Sequence, residues 1–201
     1  MKILAVSDFV EPLLCDLPNS SAFSDVRLIV SCGDLPPDYL SALSRAFKAP
    51  LYYIRGNHDI QYESSPPNRC IDIHAQVVPF AELTILGLEG SRWYNGRPLQ
   101  YTEAQMRQTV RYLRPQLRRY RQLDLVVAHA PPRHIHDAED PCHRGFQSYR
   151  ALIDRYRPRY FLHGHIHRRF TDPSDRITQI GRTRIINCSG YYLFEFEKGH
   201  E

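Results

Sequence analysis

Short apolar runs of strand length recur through the first part of the chain, and each one stops at polar residues. Lys2–Val6, Arg27–Cys32 and Leu51–Ile54 are dominated by β-prone apolar residues and predict buried strands. They end at Ser7-Asp8, at Gly33-Asp34 and at Arg55-Gly56-Asn57-His58-Asp59 respectively. Pro36-Pro37 opens a predicted helix through Leu40, Leu43 and Phe47, apolar positions three and four residues apart. In open α/β sheets, ligands sit beyond the carboxyl ends of the strands, which is where these polar groups fall.

The pattern then changes twice. Gln61–Asn68, with Ser64-Ser65-Pro66-Pro67, reads as a surface loop, and shorter strands are predicted at Cys70–Ile73, Gln76–Pro79 and Leu83–Leu88. Gly87, Gly90 and Gly96 punctuate a loop carrying Arg92, Trp93, Tyr94 and Asn95, which reads as a pocket floor or a lid over the core. Thr102-Glu103-Ala104-Gln105 is a capping-box start for a helix with Met106, Val110, Leu113, Leu117 and Tyr120 inward, split by Pro115. Its arginine stripe (Arg107, Arg111, Arg114, Arg118, Arg121) reads as a solvated face. Leu123–Ala128 and Tyr160–Leu162 are further strands, ending at His129 and at His163-Gly164-His165-Ile166-His167. A helix is predicted over Ser148–Tyr156, and the tail alternates as strands at Ile177–Ile180, Arg184–Ile186 and Tyr192–Phe196, with a turn at Gly181-Arg182.

Composition narrows the class without naming it. The 201 residues are most simply one domain over 1–201, 42% hydrophobic and 24% charged, as in ordinary globular proteins. A net charge of +4 tolerates anionic substrates and does not by itself indicate nucleic acid. No apolar run is long enough to span a membrane, and the five cysteines form no CxxC pair, so reduced thiols and a cytoplasmic location are expected.

Asp8, Asp34, Asn57, His129 and the pair His165 and His167 therefore close five of these strands, in chain order. Imidazole, carboxylate and amide donors suit Mn, Fe, Zn or Co rather than calcium, and so many of them suggest a two-metal site. In this order the motifs Asp8-Phe9-Val10, Gly33-Asp34, Gly56-Asn57-His58-Asp59, His129 and Gly164-His165-Ile166-His167 resemble the calcineurin-like metallophosphoesterase superfamily. The resemblance runs from Asp8 to His167. It implies an α/β fold of the four-layer αββα sandwich type, and hydrolysis of a phosphate ester, a phosphodiester above all, by a hydroxide bridging two divalent ions.

Carried over residue by residue, the resemblance makes Asp34 the bridge, with Asp8 and His167 at the first metal and Asn57, His129 and His165 at the second. Manganese is the expected ion, with Fe, Zn, Co or Ni as alternatives. His58 becomes the proton donor to the leaving alkoxide, a role that suits an imidazole, and Asp59 is expected to orient it. Position 10, where the family has a histidine, is Val10, so the first site is expected to be weak; Glu11 is at the wrong spacing to replace it. A non-catalytic scaffold on the same fold, like the retromer subunit, is the rival reading. His163 reads as structural, while His136, Asp137 and His143 could line the substrate pocket. Cyclic nucleotides, nucleic-acid ends, glycerophosphodiesters and nucleotide sugars all stay open as substrates.

Overall fold

A computed structural model describes residues 1–18, 20–168 and 170–196. In chain order the first half forms β1 (Lys2–Ser7), β2 (Val26–Ser31), α1 (Pro37–Phe47), β3 (Leu51–Tyr53), β4 (Cys70–Asp72), β5 (Val77–Phe80) and β6 (Leu83–Leu88). Two-residue strands β7 (Ser91–Arg92) and β8 (Gln100–Tyr101) lead to α2 (Glu103–Tyr112), α3 (Arg114–Leu117) and β9 (Leu125–Ala128). The chain then forms α4 (Gln147–Tyr156), β10 (Tyr160–His163), β11 (Ile177–Ile180), β12 (Thr183–Asn187) and β13 (Gly190–Glu195).

Two sheets result. One has the order β13-β1-β2-β3-β4, parallel except for β13; the other has the order β11-β12-β10-β9-β6-β5, with antiparallel strands only at its two edges. Alternation of side chains along each strand explains why the sheets stack. Ile3, Ala5, Leu28 and Val30 face Ile85, Val127, Leu162 and Ile186 in a shared central core. The opposite faces are covered separately. Leu4, Val6, Ile29 and Leu51 pack against Leu40 and Leu43 of α1. Leu86, Val126, Phe161 and Ile185 pack against Met106 of α2 and Tyr149, Leu152 and Ile153 of α4. The layers run helix, sheet, sheet, helix: the αββα sandwich.

Most predicted elements appear within two residues of their expected limits. The Thr102–Gln105 capping box forms, and Pro115 divides α2 from α3 as its missing N–H requires. The arginine stripe stays exposed. The predicted loop from Gln61 is a correction: Asp59–Glu63 closes as a one-turn 3-10 helix, because Tyr62 is buried and its hydroxyl donates to the Leu35 carbonyl at 2.7 Å. Among the described residues, no helix is long and apolar enough to cross a membrane.

Candidate metal centre

Parallel strands of both sheets end on one side, and short backbone bonds tie their exits together. The Asp8 N–H donates to the Gly33 carbonyl at 3.2 Å, and the Gly164 N–H donates to the His129 carbonyl at 3.0 Å. A side chain at Gly56 would run into the Asp34 carboxylate, and one at Gly164 into Ser7 and Asp8. Glycine at these two positions lets the loops close to contact. Asp8, Asp34 and His165 themselves adopt left-handed backbone, with φ of 64°, 58° and 66°. Such non-glycine conformations carry strain of about 1–3 kcal/mol each and concentrate at functional sites.

Two donor groups form there. Asp34, His129 and His165 offer ligand atoms all within 4.8 Å of one another, as do Asp8, Asp34 and His167. Asp34 belongs to both. Asn57 joins the group of His129 and His165 through its Oδ1, 3.0 Å from His129 Nε2, which also lies 3.2 Å from Asp34 Oδ2. His129 Nδ1 lies 2.8 Å from the Cys32 carbonyl, so a proton there leaves Nε2 facing the centre. His165 Nε2 lies 2.8 Å from the Cys142 carbonyl, which by the same argument frees Nδ1. Asp8 Oδ1 accepts from the His165 N–H at 3.0 Å and stands 3.5 Å from His167 Nε2.

The residues fit divalent cations on one further ground: Asp8 Oδ2 is a buried carboxylate oxygen with no hydrogen-bond partner. An unpaired buried carboxylate oxygen is costly unless a cation meets it. Electrostatics agree. Burial works against charge on His129, but the Asp34 carboxylate beside it outweighs this and raises its pKa to about 9. Burial likewise pushes Asp34 up, yet His129 and the N–H of His58 hold it well below the usual carboxylate range. His165, buried and next to His129, is lowered to about 3.

His58 is exposed at the mouth, and its N–H donates to Asp34 Oδ1 at 2.8 Å. Asp59 does not orient its ring. Instead Asp59 Oδ2 accepts the N–H groups of Asp34 and Gly56, both at 2.7 Å, and so joins the two loops. Glu11 stands outside both donor groups, and Val10 is 44% exposed. His163 is fully buried, with Nδ1 2.9 Å from the Gly164 carbonyl and Nε2 2.8 Å from His136 Nδ1. His136 therefore braces His163 rather than lining a pocket, and Asp137 is engaged by Arg133 at 2.7 Å. His143 lies against the His165 ring with centroids 5.4 Å apart.

Two supports were not read from the sequence. Arg55 donates to buried Glu89 through Nε at 2.8 Å and Nη2 at 3.2 Å, anchoring the start of the Gly56-Asn57-His58 turn. Glu89 directly follows the buried run Leu83–Leu88, so the strand-end rule that marked Asp34 could have marked it. Tyr94 reaches the centre as well, accepting from Asn57 Nδ2 at 3.4 Å.

Solved structures share this fold. The crystal structure of TT1561 from Thermus thermophilus superposes with a TM-score of 0.61 at 17% identity, over 94% of this chain and 89% of that one. A putative 5′-nucleotidase from Staphylococcus aureus gives 0.57 at 14% identity, over 98% of this chain and 51% of that one. GAP50 of Plasmodium gives 0.55 at 13% identity, over 94% and 71%. These likenesses concern the fold. No curated protein matches the chain significantly in sequence. The family model described as calcineurin-like phosphoesterase matches residues 1–169, and the chain belongs to that family.

Proposed function

We propose that this protein is a metal-dependent phosphodiesterase that works with two divalent ions, one on either side of Asp34. The observation that carries the reading is the sharing of Asp34 between two compact donor groups. Asp8 and His167 would complete the first site, and Asn57, His129 and His165 the second. Three imidazoles, two carboxylates and an amide suit manganese, with Fe, Zn, Co or Ni as alternatives. Bound there, the ions would polarise the phosphoryl group and acidify an attacking water.

The chain's own residues supply the rest. Asp59 holds the Asp34 and Gly56 backbones in register, and Cys32 and Cys142 carbonyls aim the His129 and His165 rings. His58 stands exposed beside Asp34, free to give a proton to a departing alkoxide. A diester is favoured over a monoester because the flank beyond Phe9 and Val10 opens into a cleft of 820 Å³, room for a second ester group. Val10 favours a second reading, a scaffold that binds metal without turnover.

Hydrolysis of bis-p-nitrophenyl phosphate with Mn²⁺ separates the two, with Asp34→Asn and His58→Ala prepared alongside. Metal-dependent turnover, abolished in Asp34→Asn and strongly reduced in His58→Ala, is expected. Metal binding without turnover in the wild-type protein supports the scaffold. Full activity in His58→Ala removes His58 from proton transfer.

A further inference from the structure

The cleft that begins at Phe9 and Val10 lies beside the metal centre, next to His167. The Phe9 ring lies 5.3 Å from that of His167, and Arg168, next in the chain, lines the same cleft. Its wall is aromatic. Phe9 and Tyr191 are 42% and 40% exposed, and Tyr191 lies against Phe23 with centroids 5.9 Å apart. Large rings left open beside a polar site mark a binding surface rather than a core defect.

Two polar atoms along the cleft lack hydrogen-bond partners, while the rest of the Arg176 guanidinium is engaged, its Nη1 donating to the Tyr191 carbonyl at 2.8 Å. Ser189 Oγ and Arg176 Nε are buried and make no hydrogen bond, and Ser189 as a whole is only 5% exposed. Buried groups of this kind are rare and need an explanation. Arg176 also lies 4.6 Å from the centre of the Phe170 ring, and Arg168 5.8 Å from it, so two guanidinium groups stand over one aromatic wall. Glu11 adds an acceptor, its Oε1 close to Gly190, the residue between Ser189 and Tyr191.

We infer that this cleft holds the nucleoside of a phosphodiester whose phosphate lies at the Asp8–Asp34–His167 end of the metal centre. The inference rests on the phosphodiesterase reading above. A nucleobase offers a flat face for Phe9 and Tyr191 and a polar edge for Ser189 and Glu11, and stacking on such rings tolerates any base. A glycerol or sugar ester has no face to stack. A choline ester suits aromatic rings but is repelled by Arg168 and Arg176. On this account Val10, in place of a histidine, is an apolar wall that keeps the cleft open to the phosphate.

Two readouts test the inference separately from the activity beneath it. Thymidine 5′-(p-nitrophenyl) phosphate and methyl p-nitrophenyl phosphate release the same p-nitrophenolate and differ only in the other ester group. The nucleoside ester is expected to show kcat/KM about tenfold higher, through KM, in line with the stacking of one base. In Tyr191→Ala the ratio of kcat/KM for the two esters, read on one preparation, should fall towards one. Calorimetric titration with thymidine and adenosine 5′-monophosphates, against inorganic phosphate, reads the cleft without turnover. Both nucleotides should bind more tightly than phosphate, and Ser189→Ala should weaken them without lowering the melting temperature, since its hydroxyl bonds nothing in the free protein.

Nucleotide binding without turnover of either ester keeps the cleft and overturns the phosphodiesterase reading. Turnover of both esters at equal kcat/KM, with nucleotides binding no better than phosphate, overturns the cleft and leaves that reading standing. A nucleotide preference unchanged in Tyr191→Ala and Ser189→Ala also overturns the cleft.

Discussion

Asp59 holds Asp34 in place: its Oδ2 accepts the Asp34 N–H at 2.7 Å and the Gly56 N–H at the same distance. One buried carboxylate oxygen thus joins the turn that carries the shared Asp34 to the turn that carries Asn57 and His58. Asp59→Ala leaves two buried donors unpaired, at a cost of about 1–3 kcal/mol each. Stability and metal affinity should fall together in this variant. Asp59→Asn, whose amide oxygen can still accept, should recover most of both. Urea unfolding and metal titration of the pair check this, and equal behaviour of the two variants would contradict it.

The Arg55–Glu89 pair predicts a different signature. The Glu89 side chain is 2% exposed and that of Arg55 21%, so Arg55→Ala takes the guanidinium from a buried carboxylate that keeps only the Tyr101 hydroxyl and His74 beside it. Breaking a buried pair from one side costs about 3–5 kcal/mol. Arg55→Ala combined with Glu89→Gln should lose clearly less than Arg55→Ala alone. Chemical denaturation of both proteins measures the difference.

Gly164 admits no side chain. A Cβ there meets Ser7 Oγ and Asp8 Oδ2, and the neighbouring His165 N–H already holds Asp8 Oδ1. Gly164→Ala should therefore move Asp8 and His165, lowering metal affinity at least tenfold while secondary structure by circular dichroism stays near that of the wild type. Unchanged affinity would show that the loop yields more easily than its packing suggests.

Much of this centre was legible in the chain because one rule covers it. Asp8, Asp34, Asn57, His129 and His165 each follow a buried run, and parallel strands deliver such residues to one edge. The rule fails where the partner is main chain. Asp59 sits next to His58 in sequence, yet the sharp Gly56 turn sends its carboxylate to N–H groups of Asp34 and Gly56. His136 shares a loop with His143, but a left-handed residue at φ 60° directs it onto His163 and Thr178. The strand-end rule could have marked Glu89 after Leu83–Leu88, but nothing local shows its pairing with Arg55, 34 residues away.

Metal uptake should depend on pH with a definite sign. Before metal binds, burial disfavours the charged form of His129, but Asp34 overrides this and raises its pKa to about 9. A ligand nitrogen must be free of its proton, so binding at pH 7 should release about one proton from His129. His165, held near 3, is already neutral and should contribute none. Apparent affinity at the His129 site should then climb about tenfold per pH unit up to pH 9 and level off. Calorimetry in two buffers of different ionisation enthalpy counts the proton, and a count of zero would contradict the assignment.

The central claim is that Asp34 lies between two cations, and anomalous diffraction from crystals grown with Mn²⁺ tests it most directly. The account predicts two peaks about 3.5–4 Å apart, the spacing of two-metal sites. One should lie among Asp8, Asp34 and His167, and the other among Asp34, Asn57, His129 and His165. A single peak that leaves Asp8 and His167 without metal at saturating Mn²⁺, or peaks away from Asp34, would contradict it.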